Sequence, residues 1–345
     1  MNPVAVTLKQ IADEAGVSIT TVANVIKGKS VSESKRKKIQ KLLDKYDYSP
    51  NMNAKSLVNS SSNLIGVLYY VSEGEDHDNF SDPFISELLS GIEKEARNHG
   101  NFVLVHSFTD INDIKILQNN WLFDGFIVAT TPNKLVHPIS SIIRDSIRSV
   151  FIDVVLDDEE RRIFEQKQET YFIMNDDYLA AKEVAEHMIS KGHERIAFLA
   201  SRFVENEESL TEVRYAGACS AVHQHFGPNK TIGKVTMDNR SSLLDDESEY
   251  TAVVCASDKI AAEFLELYNS GAIKGPSMSV AGFDNAVFDT YLTPQLTTVD
   301  LHHREKGKLA VQLINEKTKD ADMKNNFHRI KHELIERNSV FERGV

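Results

Sequence analysis

Residues 18–26, near the start of the chain, carry side chains suited to reading DNA bases. The amide of Asn24 can both donate to and accept from an adenine edge, and Ile19 or the methyl group of Thr20 can contact a thymine methyl. Hydroxyl and ammonium groups at Thr7, Ser18, Thr21 and Lys27 suit phosphate oxygens, which fix register without reading sequence. This stretch therefore predicts direct readout of duplex DNA.

The flanking residues predict the helices that position these side chains. Thr7 and Gln10 have the spacing of a capping box, so a first helix is expected to begin there and to end at Gly16. Ser18 is a suitable N-cap for a second helix closed by Gly28, and Ser32 for a third. Two short helices about a glycine turn, braced by a third, follow the helix-turn-helix plan, although a plain three-helix bundle with a polar surface has the same pattern.

The segment after the third helix predicts a short helix that folds only when docked. Pro50 stands in a helix-opening position, and residues 50–57 are too few for a stable isolated helix, which needs about 12–15 residues. Leu57 precedes a polar stretch at residues 59–63 and would be exposed. Its side chain could act as an apolar wedge in a minor groove.

Charge is distributed unevenly along the chain. The whole sequence has a net charge of −12, but residues 1–60 hold ten Lys or Arg and five Asp or Glu. Because the positive charge is concentrated in residues 1–60, we expect this basic head, and not the acidic remainder, to bind nucleic acid. With two cysteines, no apolar run of about 18 residues and no charged-then-apolar start, we expect a cytoplasmic protein without a membrane span.

From residue 63 onward, buried-strand runs alternate with helical stretches. This alternation occurs twice, first over residues 64–154 and then over residues 179–283. Strands that alternate with helices predict parallel sheets wound by helices on both faces. Two such lobes would form a cleft for a small ligand at the carboxyl ends of their strands.

Together these motifs resemble the lactose/galactose repressor (LacI/GalR) family. The head resemblance rests on residues 6–18, Thr21-Val22 and residues 48–51. The body resemblance rests on residues 82–84, 191–199, 256–258, 280–284 and 292–299. It implies an α/β chain with a three-helix helix-turn-helix head and hinge helix, followed by a two-lobed periplasmic-binding-protein-like body of doubly wound parallel sheets.

In that family, hinge helices of two subunits pair on DNA, with a leucine at the position of Leu57 prising open a base step. The resemblance extends the predicted phosphate contacts to Leu8, Ser32, Tyr48 and Lys55. The sequence departs from the family pattern at Ala23, commonly serine, and at Asn24, often arginine, which bears on the operator sequence.

The resemblance also implies boundaries. We expect a head over residues 1–49, a hinge helix and linker over 50–62, and a core over 63–345. One lobe would comprise residues 63–168 and 295–323, and the other residues 169–294 and 324–345. The crossings between lobes are expected near Gln168, Pro294 and Met323.

Effector contacts are expected at strand ends in the cleft. Arg214 matches an arginine that relatives aim at ligand hydroxyls or carboxylates, Asp284 matches an acid that accepts from hydroxyls, and Phe84 could stack on an apolar ring face. Ser257 replaces the family's asparagine, and Thr130 is a further candidate. Alternatively, Arg214 and Asp284 form a structural ion pair across the cleft.

No motif in the sequence calls for catalysis, a metal or a cofactor. We therefore expect a homodimeric regulator, a repressor, that binds a pseudo-palindromic operator and senses a small metabolite, a sugar or sugar derivative. Control by a protein partner or by a nucleobase-type co-repressor is the alternative. A solute-binding receptor and an enzyme with a sugar-sized cleft remain as rival classes.

Overall fold

The computed structural model describes the chain in two compact units, Met1–Ser62 and Asn63–Val345. The residues it describes are 6–26, 29–46, 48, 62–71, 82–129, 132–203, 209–243, 249–269, 278–315 and 325–343. The predicted hinge helix, with Lys55 and Leu57, lies outside the described residues, as do Lys27 and Thr130. No helix in these ranges is both long and apolar enough to cross a bilayer.

The first unit is a small bundle of three helices. They are α1 (Leu8–Ala15), α2 (Ile19–Ile26) and α3 (Glu33–Lys45). Its core is made by Ile11, Val22, Ile39 and Leu43, which are nearly inaccessible to solvent. Leu42 and Tyr46 pack against this core, as the apolar spacing of the third helix predicts.

The second unit contains two parallel sheets covered by helices. The strands are β1 (Leu64–Tyr70), β2 (Phe102–Phe108), β3 (Gly125–Ala129), β4 (Arg148–Ile152), β5 (Thr170–Met174), β6 (Ile196–Ala200), β7 (Gly233–Thr236), β8 (Ala252–Cys255), β9 (Ser279–Phe283), β10 (Thr297–Asp300), β11 (Phe327–Arg329) and β12 (Glu333–Ile335). The helices are α4 (Pro83–His99), α5 (Asn112–Asn120), α6 (Asn133–Ile142), α7 (Asp158–Glu165), α8 (Asp177–Ser190), α9 (Leu210–Phe226), α10 (Asp258–Asn269) and α11 (His303–Asn315), with short 3-10 helices at Met237–Leu243 and Val287–Thr290.

Each sheet belongs to one lobe. The first has the strand order β11-β5-β4-β3-β1-β2, and the second has the order β12-β10-β9-β8-β6-β7. Every pairing is parallel except that of β12 with β10. The central strands are continuously apolar and buried, which is typical of sheets covered on both faces. The two-lobed α/β architecture expected from the sequence is confirmed.

The crossings between lobes lie later in the chain than expected. β5 pairs with β4 in the first sheet, although residues 169–174 were assigned to the second lobe. β10 pairs with β9 in the second sheet, although residues 295–300 were assigned to the first. β11 joins the first sheet and β12 the second. Each expected crossing, at Gln168, Pro294 and Met323, falls before a strand that still belongs to the preceding sheet, so the chain changes lobe only after that strand has paired.

The helix α11 returns to the first lobe and packs closely against α4. A Cβ atom on Gly91 of α4 would lie 2.1 Å from the carbonyl oxygen of Arg304, and one on Gly307 of α11 would lie 2.4 Å from the carbonyl oxygen of Leu88. Such distances are far below van der Waals contact, so the two backbones can touch here only because both positions are glycine. This contact fixes the start of α11.

We predict that Gly91→Ala lowers the free energy of unfolding by about 1–2 kcal/mol, because overpacking outweighs the higher helix propensity of alanine. Urea unfolding of the full chain measures the change. Ser90→Ala, at an exposed position of the same helix, is the control and should be neutral or slightly stabilising. Equal behaviour of the two variants would contradict the close packing.

Candidate DNA-binding and effector sites

The helix α1 begins and ends as its sequence predicts. The Oγ1 atom of Thr7 accepts from the amide of Gln10 at 3.3 Å, and the side chain of Gln10 accepts from the amide of Thr7 at 2.8 Å. Gly16 ends the helix with φ 66°, a left-handed conformation that favours glycine. This capping box and turn set the direction in which the next helix leaves.

The helix α2 presents its short polar side chains away from the bundle core. The Oγ atom of Ser18 accepts from the amide of Thr21 at 3.2 Å, so Ser18 caps the helix. Ile19 and Thr20 are exposed, whereas Thr21 and Asn24 are half-buried. Val22 and Val25 are buried against the other helices. The residues predicted to read bases therefore lie at the amino-terminal end and outer side of α2.

The predicted phosphate contacts are exposed or half-buried residues of the first unit, or lie outside the described residues. Thr7, Ser18 and Ser32 are exposed, and Leu8, Thr21 and Tyr48 are half-buried. Ser32 occupies the N-cap position of α3, but its hydroxyl makes no capping bond there. The roles of these residues toward DNA stay predictions.

A polar brace that the sequence pattern did not indicate joins α1 to the end of α3. The carboxylate of Glu14 accepts from Lys45 Nζ at 2.8 Å and from the Tyr46 hydroxyl at 2.6 Å. These hydrogen bonds lower the pKa of Glu14. The brace is solvent-exposed, so its main effect is to orient α1 on α3.

In the second unit, Arg214 is held within the second lobe. Its Nε and Nη2 atoms lie 2.8 and 2.7 Å from Oδ1 of Asp177, and Nη1 donates to the carbonyl oxygen of Ala256 at 2.6 Å. The guanidinium also covers the ring of Phe283. Burial would raise the pKa of Asp177, but the charges of Arg214 and Lys306 outweigh it and the pKa is lowered. The alternative of an Arg214–Asp284 ion pair is therefore replaced by an ion pair with Asp177.

Asp284 contacts a histidine instead. It follows β9 with φ 120°, a conformation that is rare outside glycine and tends to occur at functional sites. Its Oδ1 atom lies 3.1 Å from Nε2 of His303. Burial raises the pKa of Asp284 to about 6, against the lowering effects of Arg214 and Lys306.

His303, at the start of α11, connects this carboxylate to the first lobe. Its ring meets that of Phe84 edge to face, with 4.8 Å between centroids and 83° between planes. Phe84 is positioned at the start of α4 by Asp82, whose Oδ1 atom accepts from the Phe84 amide at 2.9 Å. The ring of Phe84, which we expected to stack on a ligand, thus already contacts His303. Burial, together with nearby Lys306, lowers the pKa of His303 to about 3.

A buried ion pair lies one helical turn further along α11. Lys306 is fully buried, and its Nζ atom lies 2.5 Å from Oδ2 of Asp153, which follows β4. A buried lysine is rare unless it is paired. Neither Lys306 nor His303 was recognised as a site residue from the sequence. Helical spacing in the sequence could have indicated Lys306. It stands four residues before Ala310 and seven before Leu313, and therefore on the buried face of α11.

Ser257 has a local role. Its Oγ atom accepts from the amide of Ile260 at 3.3 Å, at the start of α10. Its predicted contact with an effector stays untested, as does that of Thr130.

A cavity adjoins the junction of the lobes. It has a volume of about 370 Å³, and Asp284, His303, Asp300 and Arg304 contribute to its lining. Cavities of roughly 300–1,000 Å³ are typical of small-molecule sites. In the described ranges, no group of three or more His, Cys, Asp or Glu side chains could hold a metal ion.

Two family models match the sequence. Residues 7–51 match the model of bacterial regulatory proteins of the lacI family, and residues 185–340 match a periplasmic binding protein-like domain. The two matches cover the head and most of the second lobe.

Three known proteins illustrate the similarity. The HTH-type transcriptional repressor PurR of Photobacterium profundum is 27% identical over 97% of this chain and 98% of its own length. A lac repressor dimer bound to operator and an anti-inducer has a TM-score of 0.77 and 21% identity, over 98% of this chain and all of that one. A complex of the transcriptional regulator CelR with cellobiose has a TM-score of 0.65 and 19% identity, over 97% and 99% of the two chains.

We predict that His303→Phe makes stability less sensitive to acid. The unfolded chain protonates this histidine near pH 6.5, whereas the folded chain resists protonation down to about pH 3. Because only the unfolded state binds this proton between pH 6.5 and pH 3, the contribution of His303 to the free energy of unfolding is complete above pH 6.5. It is lost as the pH falls toward 3. Between pH 7 and pH 5 the free energy of unfolding of the wild type should therefore fall by about 2 kcal/mol more than that of the variant.

Urea unfolding at the two pH values tests this difference, and carboxylates that titrate in both chains largely cancel. The same loss in both proteins would show that His303 takes up a proton as readily when folded as when unfolded.

Proposed function

Because this chain belongs to the LacI/GalR family of DNA-binding transcriptional regulators, we propose that it is a homodimeric repressor controlled by a sugar or sugar derivative. In this proposal, two heads bind a pseudo-palindromic operator, and a ligand that binds between the lobes changes the affinity of the heads for it. The observation that carries the proposal is the outer face of α2, where Ile19 and Thr20 are exposed beside Asn24.

The head has the charge and geometry for a major groove. Short side chains at the start of α2 allow its backbone to approach base edges closely, and the exposed lysines Lys35, Lys37 and Lys38 on α3 supply positive charge. A dimer would place two such helices on successive major grooves, about 34 Å apart. Register would come from hydroxyls such as those of Thr7 and Ser18.

The first lobe offers an edge for a second copy. β2 pairs with β1 on one side and, within the described residues, has no strand on the other. Phe102 and Val105 on this strand are 59% and 38% exposed. An exposed apolar edge strand promotes association unless it is covered. We assign this edge to the dimer interface.

The cleft side of the second unit supports a small polar effector. Asp284 directly follows β9, and the side chain of Arg214, on α9, reaches the carbonyl oxygen of Ala256 just after β8. Ligands bind at such carboxyl ends of strands in open α/β sheets. The similar CelR protein forms a complex with cellobiose. We extend that class of ligand, a carbohydrate, to this chain.

The bond between His303 and Asp284 provides a route for the switch. It links α11, which packs on the first lobe, to the end of β9 in the second. A ligand that alters this contact would change the angle between lobes and the separation of the paired hinge segments. A coupling free energy of about 1–3 kcal/mol is typical of such switches.

We predict that Asn24→Ala relaxes the preference for one base pair in each half-site by about 1–3 kcal/mol, because a bidentate amide–adenine contact is lost. Binding to a randomised operator library measures the effect. Gln40→Ala, which removes an exposed amide from α3, is the control and should leave the preferences unchanged. An unaltered sequence logo for Asn24→Ala would remove this residue from base readout.

We predict that Val105→Lys shifts the protein from dimer to monomer, since a charge would be buried in the apolar contact. Sedimentation velocity at micromolar concentration measures the state. Ile116→Lys, at a similarly exposed apolar position on α5, should stay dimeric. A dimeric Val105→Lys variant would place the interface elsewhere.

A further inference from the structure

Two carboxyl groups lie together in the interior of the second lobe. Asp258 is the first residue of α10, and Asp289 belongs to the 3-10 helix Val287–Thr290. Both residues are fully inaccessible to solvent. An ionised carboxylate is rarely buried without a partner, because removing its charge from water is costly. The protonation of this pair therefore has to be explained by its surroundings.

Asp258 is well supplied with hydrogen-bond donors. Its Oδ2 atom accepts from the amide of Ala286 at 3.1 Å, and the hydroxyl of Thr298 lies 2.7 and 2.8 Å from its two oxygens. Burial nevertheless raises the pKa of Asp258 well above its usual range, and the charges of Asp284 and Asp289 raise it further. The folded chain therefore favours the protonated form of Asp258.

Asp289, in contrast, lacks a donor. Both of its side-chain oxygens are buried, and neither has an amide or hydroxyl partner in the described part of the chain. Nη1 of Arg337 is 3.7 Å from Oδ2, which is longer than a hydrogen bond, and it already donates to the carbonyl oxygen of Leu296 at 2.6 Å. Because buried polar atoms are nearly always paired, Asp289 requires a donor from another side chain.

A protonated Asp258 is that donor. The two side chains are within hydrogen-bonding reach of each other. Ionised carboxylates only accept, so a hydrogen bond between them requires one proton. Two adjacent carboxyl groups in a buried site do not both ionise, because their charges repel, and they commonly share one proton. A single proton therefore satisfies both residues.

The other titratable groups around the pair favour retention of this proton. Asp284, which follows β9, adds a further negative charge to the surroundings of both carboxyl groups. Cys255, at the end of β8, stays a neutral thiol, because burial raises its pKa well above the usual value. Burial raises the pKa of Asp289 to about 6, against the lowering effects of Asp258 and Arg337. Asp289 is therefore the ionised partner at pH 7.5.

We propose that Asp258 and Asp289 share one proton in the folded chain at neutral pH, and that this proton fastens residues 286–290 to the start of α10. Two bonds then hold that segment to Asp258, one from the amide of Ala286 and one to the side chain of Asp289. The segment directly follows Asp284 and Asn285, so it also fixes the end of β9. The proposal concerns the interior of the second lobe and is independent of which effector the chain binds.

A shared proton makes folding pH-dependent in the sense opposite to His303. The unfolded chain ionises both carboxyl groups above about pH 4, whereas the folded chain keeps one proton. The folded state therefore binds more protons, and the contribution of the pair to the free energy of unfolding falls as the pH rises through neutrality. The same contribution grows as the pH falls toward 6.

Asp289→Asn removes the need for the proton, because its amide can donate to an ionised Asp258. Urea unfolding of the whole chain at pH 6.5 and pH 7.5 tests this. The unfolding equilibrium constant of the wild type, divided by that of the variant, should rise about tenfold over this interval. Asp238→Asn removes an exposed carboxyl group of the same lobe and should retain the pH dependence of the wild type. A ratio that is the same at both pH values would overturn the proposal.

A measurement on the unmodified protein avoids any folding defect of the variant. Carbon-13 spectra of the whole chain, labelled at the aspartate carboxyl carbon, should show one protonated aspartate at pH 7.5 in the folded state and none in urea. Ionisation of every aspartate in the folded state would overturn the proposal. So would a protonated aspartate that persists in folded Asp289→Asn, since the proton would then belong elsewhere. Neither result bears on operator binding, so the proposed function would stand.

Discussion

The hydrogen bond between His303 and Asp284 joins a helix that packs on the first lobe to the end of a strand of the second. His303 begins α11, which is fixed on the first lobe by the glycine contacts with α4, and Asp284 ends β9 of the second. Both side chains are buried, so water cannot readily replace either partner. Motion of one lobe against the other must strain this bond, break it or carry both residues along.

Two buried ion pairs lie within single lobes. Lys306 and Asp153 form their ion pair on the first lobe, and Arg214 and Asp177 form theirs on the second. Removing one partner of a buried ion pair typically costs about 3–5 kcal/mol, so these pairs are fixed parts of the lobes. The contact between His303 and Asp284 instead pairs a neutral imidazole with a carboxylate across the lobes.

Local patterns in the sequence predict the head well, because caps and apolar spacing act over a few residues. Thr7, Gly16, Ser18 and the buried face of α2 are placed as their types indicate. The predicted lobe crossings were wrong: β5 and β10 each pair with the strand that precedes them, and a strand run alone does not show which strand is the last of a lobe. His303 and Lys306 were missed because their partners, Asp284 and Asp153, are 19 and 153 residues away along the chain, beyond the reach of local patterns.

The most direct test of the coupling is the operator dissociation constant of the whole chain, measured with and without a sugar that binds it and raises its Tm. The structure leads us to expect a change of roughly 5–150-fold in the wild type. At saturating sugar, His303→Phe should show a much smaller change, because the bond that transmits it is absent. An operator affinity that does not respond to the sugar in the wild type, or that responds equally in His303→Phe, would contradict a switch that acts through the lobe junction.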